Sequence, residues 1–161
     1  MMGNLLFGLI FASALGSGLM AGLFFAFSTS VMAALSRLPA EQGIATMQSI
    51  NIIILNPLFS LIFMGTSLLC IIIGIYSLFK WGTPSATYLL AGSILYFVGV
   101  FLVTVIFNVP LNDTLAAVAP GSSEGAKLWT QYLASWVPWN HVRTLASLVS
   151  LGAFVIGLRK W

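Results

Sequence analysis

Charge is what this sequence has least of. Six Lys or Arg and three Asp or Glu make up 6% of its 161 residues, where a water-soluble domain carries about 25%. So few charges cannot coat a surface that faces water, so lipid is the solvent for most of the chain. The net charge of +3 is too sparse for a nucleic-acid footprint, and no basic stripe appears. There is one cysteine, Cys70, inside an apolar run; no disulfide can form within the chain, and Cys70 reads as a small buried hydrophobe. One histidine and three carboxylates in loops give no metal-ligand spacing, so no metal is expected. A haem held by His141 is the one cofactor alternative, with a single axial candidate. Walker loop, dinucleotide fingerprint and nucleophile triad are all missing. The start, MMGNLL, lacks the basic region of a cleavable signal, and the apolar stretch behind it is too long for a signal core. It reads as an uncleaved first span.

What is there is hydrophobic: 60% of residues, with mean hydropathy +1.06. A spanning helix needs about 20 apolar residues. Four segments qualify, at about 5–35, 52–79, 87–107 and 139–158. Each must be helical, because lipid offers no partner to a free backbone amide. The sequence therefore predicts an all-α fold: one integral membrane domain over 1–161, a bundle of four transmembrane helices. A large loop between the third and fourth is expected to carry a short amphipathic helix, since Trp129, Tyr132, Leu133 and Trp136 fall on one side of a helix and such aromatics favour the membrane–water boundary.

In the first span Ala14, Gly18, Gly22, Ala26, Ser30 and Ala34 recur every four residues. The spacing predicts a ridge that lets another helix approach closely, with Gly18 and Gly22 as a surface for homo-oligomers. At the second span, Gln48, Asn51 and Asn56 supply amides around MQSINIIILNPLF. Two readings stand: a helix lying among lipid headgroups, or amides lining a cavity. In VTVIFNVPLND, Thr104 and Asn108 share a face and Pro110 is expected to end the third span. With four spans the termini share a side, which holds Lys80, Arg159 and Lys160 against Arg37 and Lys127 opposite, plus Arg143 at that edge. The positive-inside rule then predicts cytoplasmic termini in a cell (inner) membrane.

Chemistry concentrates in WVPWNHVR, 136–143. Pro138 suits the first position of a helix, which would put Asn140, His141 and Arg143 in the first two turns of the fourth span. A helix N-terminus favours an anion, and Arg143 adds a planar fork of donors. A neutral imidazole at His141 can act as a general base. Helical arithmetic separates His141 from Arg143 by about 160°, so both serve one pocket only if the helix begins later or the pocket wraps its end. The alternative is that Arg143 reaches to headgroup phosphates and His141 sits in the interface.

Four motifs occur in order: AGLFFAFSTSVMAAL, MQSINIIILNPLF, FNVPLND and WVPWNHVRT. Together they resemble a family of small four-span membrane proteins that includes the anthrone oxygenases, over about 14–150. The resemblance implies oxidation of a lipophilic hydroxylated aromatic ketone to a quinone by molecular oxygen, with no metal or flavin. By motif position it implies a pocket of Asn108, Asn112, Trp139, Asn140, His141 and Arg143. In that chemistry His141 is the candidate base and Arg143 the candidate holder of the oxyanion, with Asn108 and Asn112 beside it; Trp136 and Trp139 stack on the rings, and Asn56 is a further candidate contact. The expected partners are a lipophilic aromatic small molecule and membrane lipid, with no nucleic acid. The alternative is a non-enzymatic membrane protein that binds a lipid, a quinone or a partner helix.

Overall fold

The structure, a computed structural model, describes residues 2–160. The described residues form helices and turns with no strand. Four helices are long and apolar enough to cross a membrane: α1 (Gly3–Leu35), α3 (Pro57–Phe79), α4 (Ala86–Ala116) and α5 (Ser123–Arg159). A shorter helix, α2 (Ala40–Ile53), lies between the first two. Around the bundle the order is α1, α5, α4, α3, each packed on the next and α3 closing on α1. The chain is an all-α four-span bundle, as the hydropathy predicts.

Small and hydroxylated residues bring the spans together, as expected where lipid removes the hydrophobic drive between helices. Ser17 and Ser150 share a hydrogen bond of 3.3 Å between α1 and α5, and the Ser150 hydroxyl lies 2.8 Å from the Gly92 carbonyl of α4. Gly92 lets Phe154 lie against the α4 backbone, where a Cβ would meet its ring at 3.2 Å. The ridge on α1 is only half used. Ala14 is buried and Gly18 faces Leu151, whereas Gly22, Ala26, Ser30 and Ala34 vary from open to exposed. Each four-residue step overshoots a turn by about 40°, so five steps turn the row about 200° away from where it began.

Three boundaries differ from the sequence reading. The second span begins at Pro57 rather than 52: α2 ends at Ile53, and Asn56 caps a new helix by accepting from the Phe59 amide at 3.0 Å. The third span does not stop at Pro110. It runs to Ala116, through π-helical turns at Phe97–Leu102 and Thr104–Asn108; wider turns just before Pro110 let the helix pass a residue that cannot donate. The fourth helix does not begin at Pro138. It spans 37 residues with Pro138 inside, about 55 Å against a hydrocarbon core of about 30 Å. Ala134, whose carbonyl loses its donor to the proline ring, is exposed and can turn to water. The segment expected as a separate amphipathic helix is thus the first half of α5, and the connection from α4 shrinks to 117–122.

The lipid-facing surface is visible as exposed large apolar side chains, from Leu5 to Phe25 on α1 and from Val142 to Ile156 on α5. Between Pro110 and His141 no large hydrophobic is exposed. This end of the bundle stands at the membrane boundary. Its own core joins Met32, Leu35, Ile44, Met47, Leu115, Trp129, Tyr132 and Trp136. The amphipathic α2 is fixed there by Gln48, whose amide nitrogen donates to the Leu115 and Val118 carbonyls at 2.8 and 3.0 Å.

Candidate functional site

Where the apolar bundle meets this second core, a cavity of about 490 Å³ opens. Five helices build it: α1 gives Phe24 and Phe27, α2 gives Met47, Gln48 and Asn51, α3 gives Phe59, α4 gives Thr104, Asn112 and Asp113, and α5 gives Trp136 and Arg143. Ile52 and Leu55, which are 75% and 70% exposed, also line it. They belong to the lipid-facing surface, so the mouth opens sideways toward the hydrocarbon edge.

Arg143 is 5% exposed. One terminal nitrogen donates to Asn140 Oδ1 at 2.8 Å and the other to Thr104 Oγ1 at 3.3 Å. Its guanidinium carbon stands 4.4 Å from the Phe24 ring centre and 5.0 Å from that of Trp136. Its Nε is buried without a partner. Every one of these neighbours is neutral. Aromatic faces attract a cation, but a buried charge with no counter-ion is costly, and an ionisable group of this kind inside a span marks a functional site by default.

The groups around Arg143 are held in turn. Asn140 is fully buried and donates to the Phe24 carbonyl and to Ser28 Oγ, both at 2.8 Å. Phe24 and Ser28 flank the start of the π-helical turn Phe27–Val31, where backbone carbonyls leave the regular α pattern. Asn112 Oδ1 accepts from the Tyr132 hydroxyl at 2.8 Å and from Trp136 Nε1 at 2.9 Å. An indole nitrogen only donates, so the Asn112 oxygen must face it. Asn108 donates to the Trp136 carbonyl at 3.3 Å, and its own oxygen is buried without a partner. Asn108, Asn112, Trp136, Asn140 and Arg143 therefore form one connected constellation.

Three candidates from the sequence lie outside it. His141 is exposed; because α5 is continuous through Pro138, two residues of helix turn it to the face opposite Arg143. Trp139 stacks on Phe107 with ring centres 3.7 Å apart and does not line the cavity. Asn56 is spent as the α3 cap. Of the two readings of the amides near the second span, lining a cavity describes Gln48 and Asn51. Phe24, Phe27 and Met47 line the cavity without a local mark in the sequence, being apolar side chains in an apolar chain, and Tyr132 joins the site through its hydroxyl on Asn112. Among the described residues, no group of three or more His, Cys, Asp or Glu could hold a metal.

Bundle, boundary cap and buried guanidinium define a four-span membrane protein with a cavity at one end of the bundle. Residues 58–153 match the family model described as anthrone oxygenase, and the chain belongs to that family. Comparisons with curated proteins and with solved structures give no match. The matched stretch contains Thr104, Asn108, Asn112, Trp136, Asn140 and Arg143, whereas α1 and α2 close the cavity from outside it.

Proposed function

We propose that the cavity takes a lipophilic hydroxylated aromatic ketone of the anthrone type from the bilayer and oxidises it with molecular oxygen. The observation that carries this reading is Arg143: a buried cation among aromatic rings, with Nε unspent and no anion beside it. A planar aromatic whose oxygen becomes anionic supplies the missing partner. Phe24 and Trp136 flank its rings, and Arg143 stabilises the oxyanion in a setting of low dielectric.

The base in this scheme is Asp113, the carboxylate among the residues lining the cavity, in place of His141. Asp113 takes a proton from the ring carbon opposite the ketone, leaving an electron-rich anion on Arg143. That anion passes one electron to oxygen. The radical pair joins as a carbon–oxygen bond, and the proton returns to give a hydroperoxide. Loss of the second proton from that carbon breaks the O–O bond and releases water. In sum a CH₂ group and O₂ give C=O and H₂O. Oxygen is the only oxidant, and no metal or flavin enters the scheme.

Oxygen uptake by purified protein with an anthrone tests the reading. Arg143→Ala is expected to lower kcat/KM by about 100-fold or more, while His141→Ala turns over like the parent. Full turnover in Arg143→Ala contradicts the assignment. Tight binding of the quinone with no oxygen uptake by the parent protein favours the role of a lipid or quinone binder.

A further inference from the structure

The opposite end of the bundle holds a second recess, of about 350 Å³, where the α3–α4 turn meets the end of α5. Tyr76, Lys80, Thr83, Pro84, Ser85 and Lys160 line it. The chain's three acidic side chains, Glu41, Asp113 and Glu124, all belong to the cavity end, so the two lysines that line the recess have no side-chain carboxylate nearby. Lys160 is steadied over the Tyr88 ring at 4.8 Å.

Ser85 is the telling residue. It is 4% exposed and precedes the first residue of α4, yet its hydroxyl caps no amide of that helix. The Ala86 amide is taken by the Thr83 carbonyl at 3.2 Å, so the donors offered at this helix start are the later amides of its first turn, with a partial positive charge. Lysines at the ends of α3 and α5 also offset the negative ends of those helices, but that role needs neither the recess nor the buried serine. Phe79 and Trp81 on the same turn are 84% and 66% exposed, which places the recess at the rim of the lipid-facing surface.

We infer that this recess binds the phosphate of an anionic glycerophospholipid in the leaflet on the side of the chain termini, between Lys80, Lys160 and the Ser85 end of α4. The two ammoniums supply the charge, Ser85 and the first-turn amides supply directed donors, and Phe79 and Trp81 lie against the acyl chains.

The test is native mass spectrometry of the full chain from mixed micelles of phosphatidylglycerol and phosphatidylcholine. The parent is expected to retain one phosphatidylglycerol with a preference of about 30-fold, the factor that two ammoniums supply at an anionic surface. Lys80→Gln/Lys160→Gln loses the preference, Ser85→Ala weakens it, and Arg159→Gln, which removes an equal charge outside the recess, keeps it. All four side chains lie in turns or the last helical turn, and melting in detergent confirms that the variants fold. Equal retention of both lipids, an unchanged preference in the double variant, or an equal loss in Arg159→Gln overturns the inference. So does displacement of the lipid by millimolar inorganic phosphate, which would mark a site for the free ion.

Discussion

At the scale of the residue, the site depends on side chains whose donors and acceptors are committed. Asn140 is the strictest case: its nitrogen serves Phe24 and Ser28, and its oxygen serves Arg143. Asn140→Leu strands a carbonyl and part of a guanidinium in a dry interior, and is expected to cost about 3 kcal/mol or more. Trp136→Phe removes an indole donor and part of a buried ring beside Arg143, but Asn112 Oδ1 keeps Tyr132 and no charge is stranded, so it should cost less, about 1–2 kcal/mol. Reversible unfolding in mixed detergent measures both; equal losses would contradict this ranking. The sequence makes Arg143, Asn140 and Trp136 conspicuous because polar and aromatic groups are rare beside a span. Helical arithmetic already sets His141 on the face away from Arg143, and the continuous α5 keeps it there; it is the motif resemblance that groups His141 and Trp139 with the pocket, and spacing alone does not show that Trp139 meets Phe107 instead.

At the scale of the element, the hydropathy of the spans was legible and their ends were not. Hydrophobic length reports the requirement of the lipid, whereas ends depend on caps and on tertiary contacts. The π-helical turns of α1 and α4 illustrate the limit. They lie at the level of Phe24, Ser28 and Thr104, which all enter the Arg143 network, and no local composition announces them. The ridge of small residues makes a prediction about packing. Gly99 is pressed against Ala146, while Gly22 meets nothing within 4 Å. Gly99→Leu should therefore lower the melting temperature and the yield of folded protein sharply, and Gly22→Leu should leave stability unchanged. Thermal denaturation in detergent decides; strong destabilisation by Gly22→Leu would show that the outer part of the ridge is packed in the membrane.

At the scale of the whole molecule, the chain is asymmetric along the membrane normal. One end carries the extended α5, the amphipathic α2 and the Arg143 cavity with all three acidic side chains; the other carries the lysine-lined recess. Under the proposed function, a substrate dissolved in lipid reaches the cavity past Ile52 and Leu55 without crossing water, which would account for such a site in a membrane protein. The central claim is that Arg143 awaits an anionic oxygen on a flat, lipophilic ring system. The most direct measurement is the visible absorption of a hydroxyanthraquinone titrated with the protein in nanodiscs, since its phenolate absorbs at longer wavelength than its phenol. The account predicts the phenolate band at a pH where the free dye is neutral, with Arg143→Met abolishing it. A dye that stays neutral in the parent, or a band that persists in Arg143→Met, would contradict it.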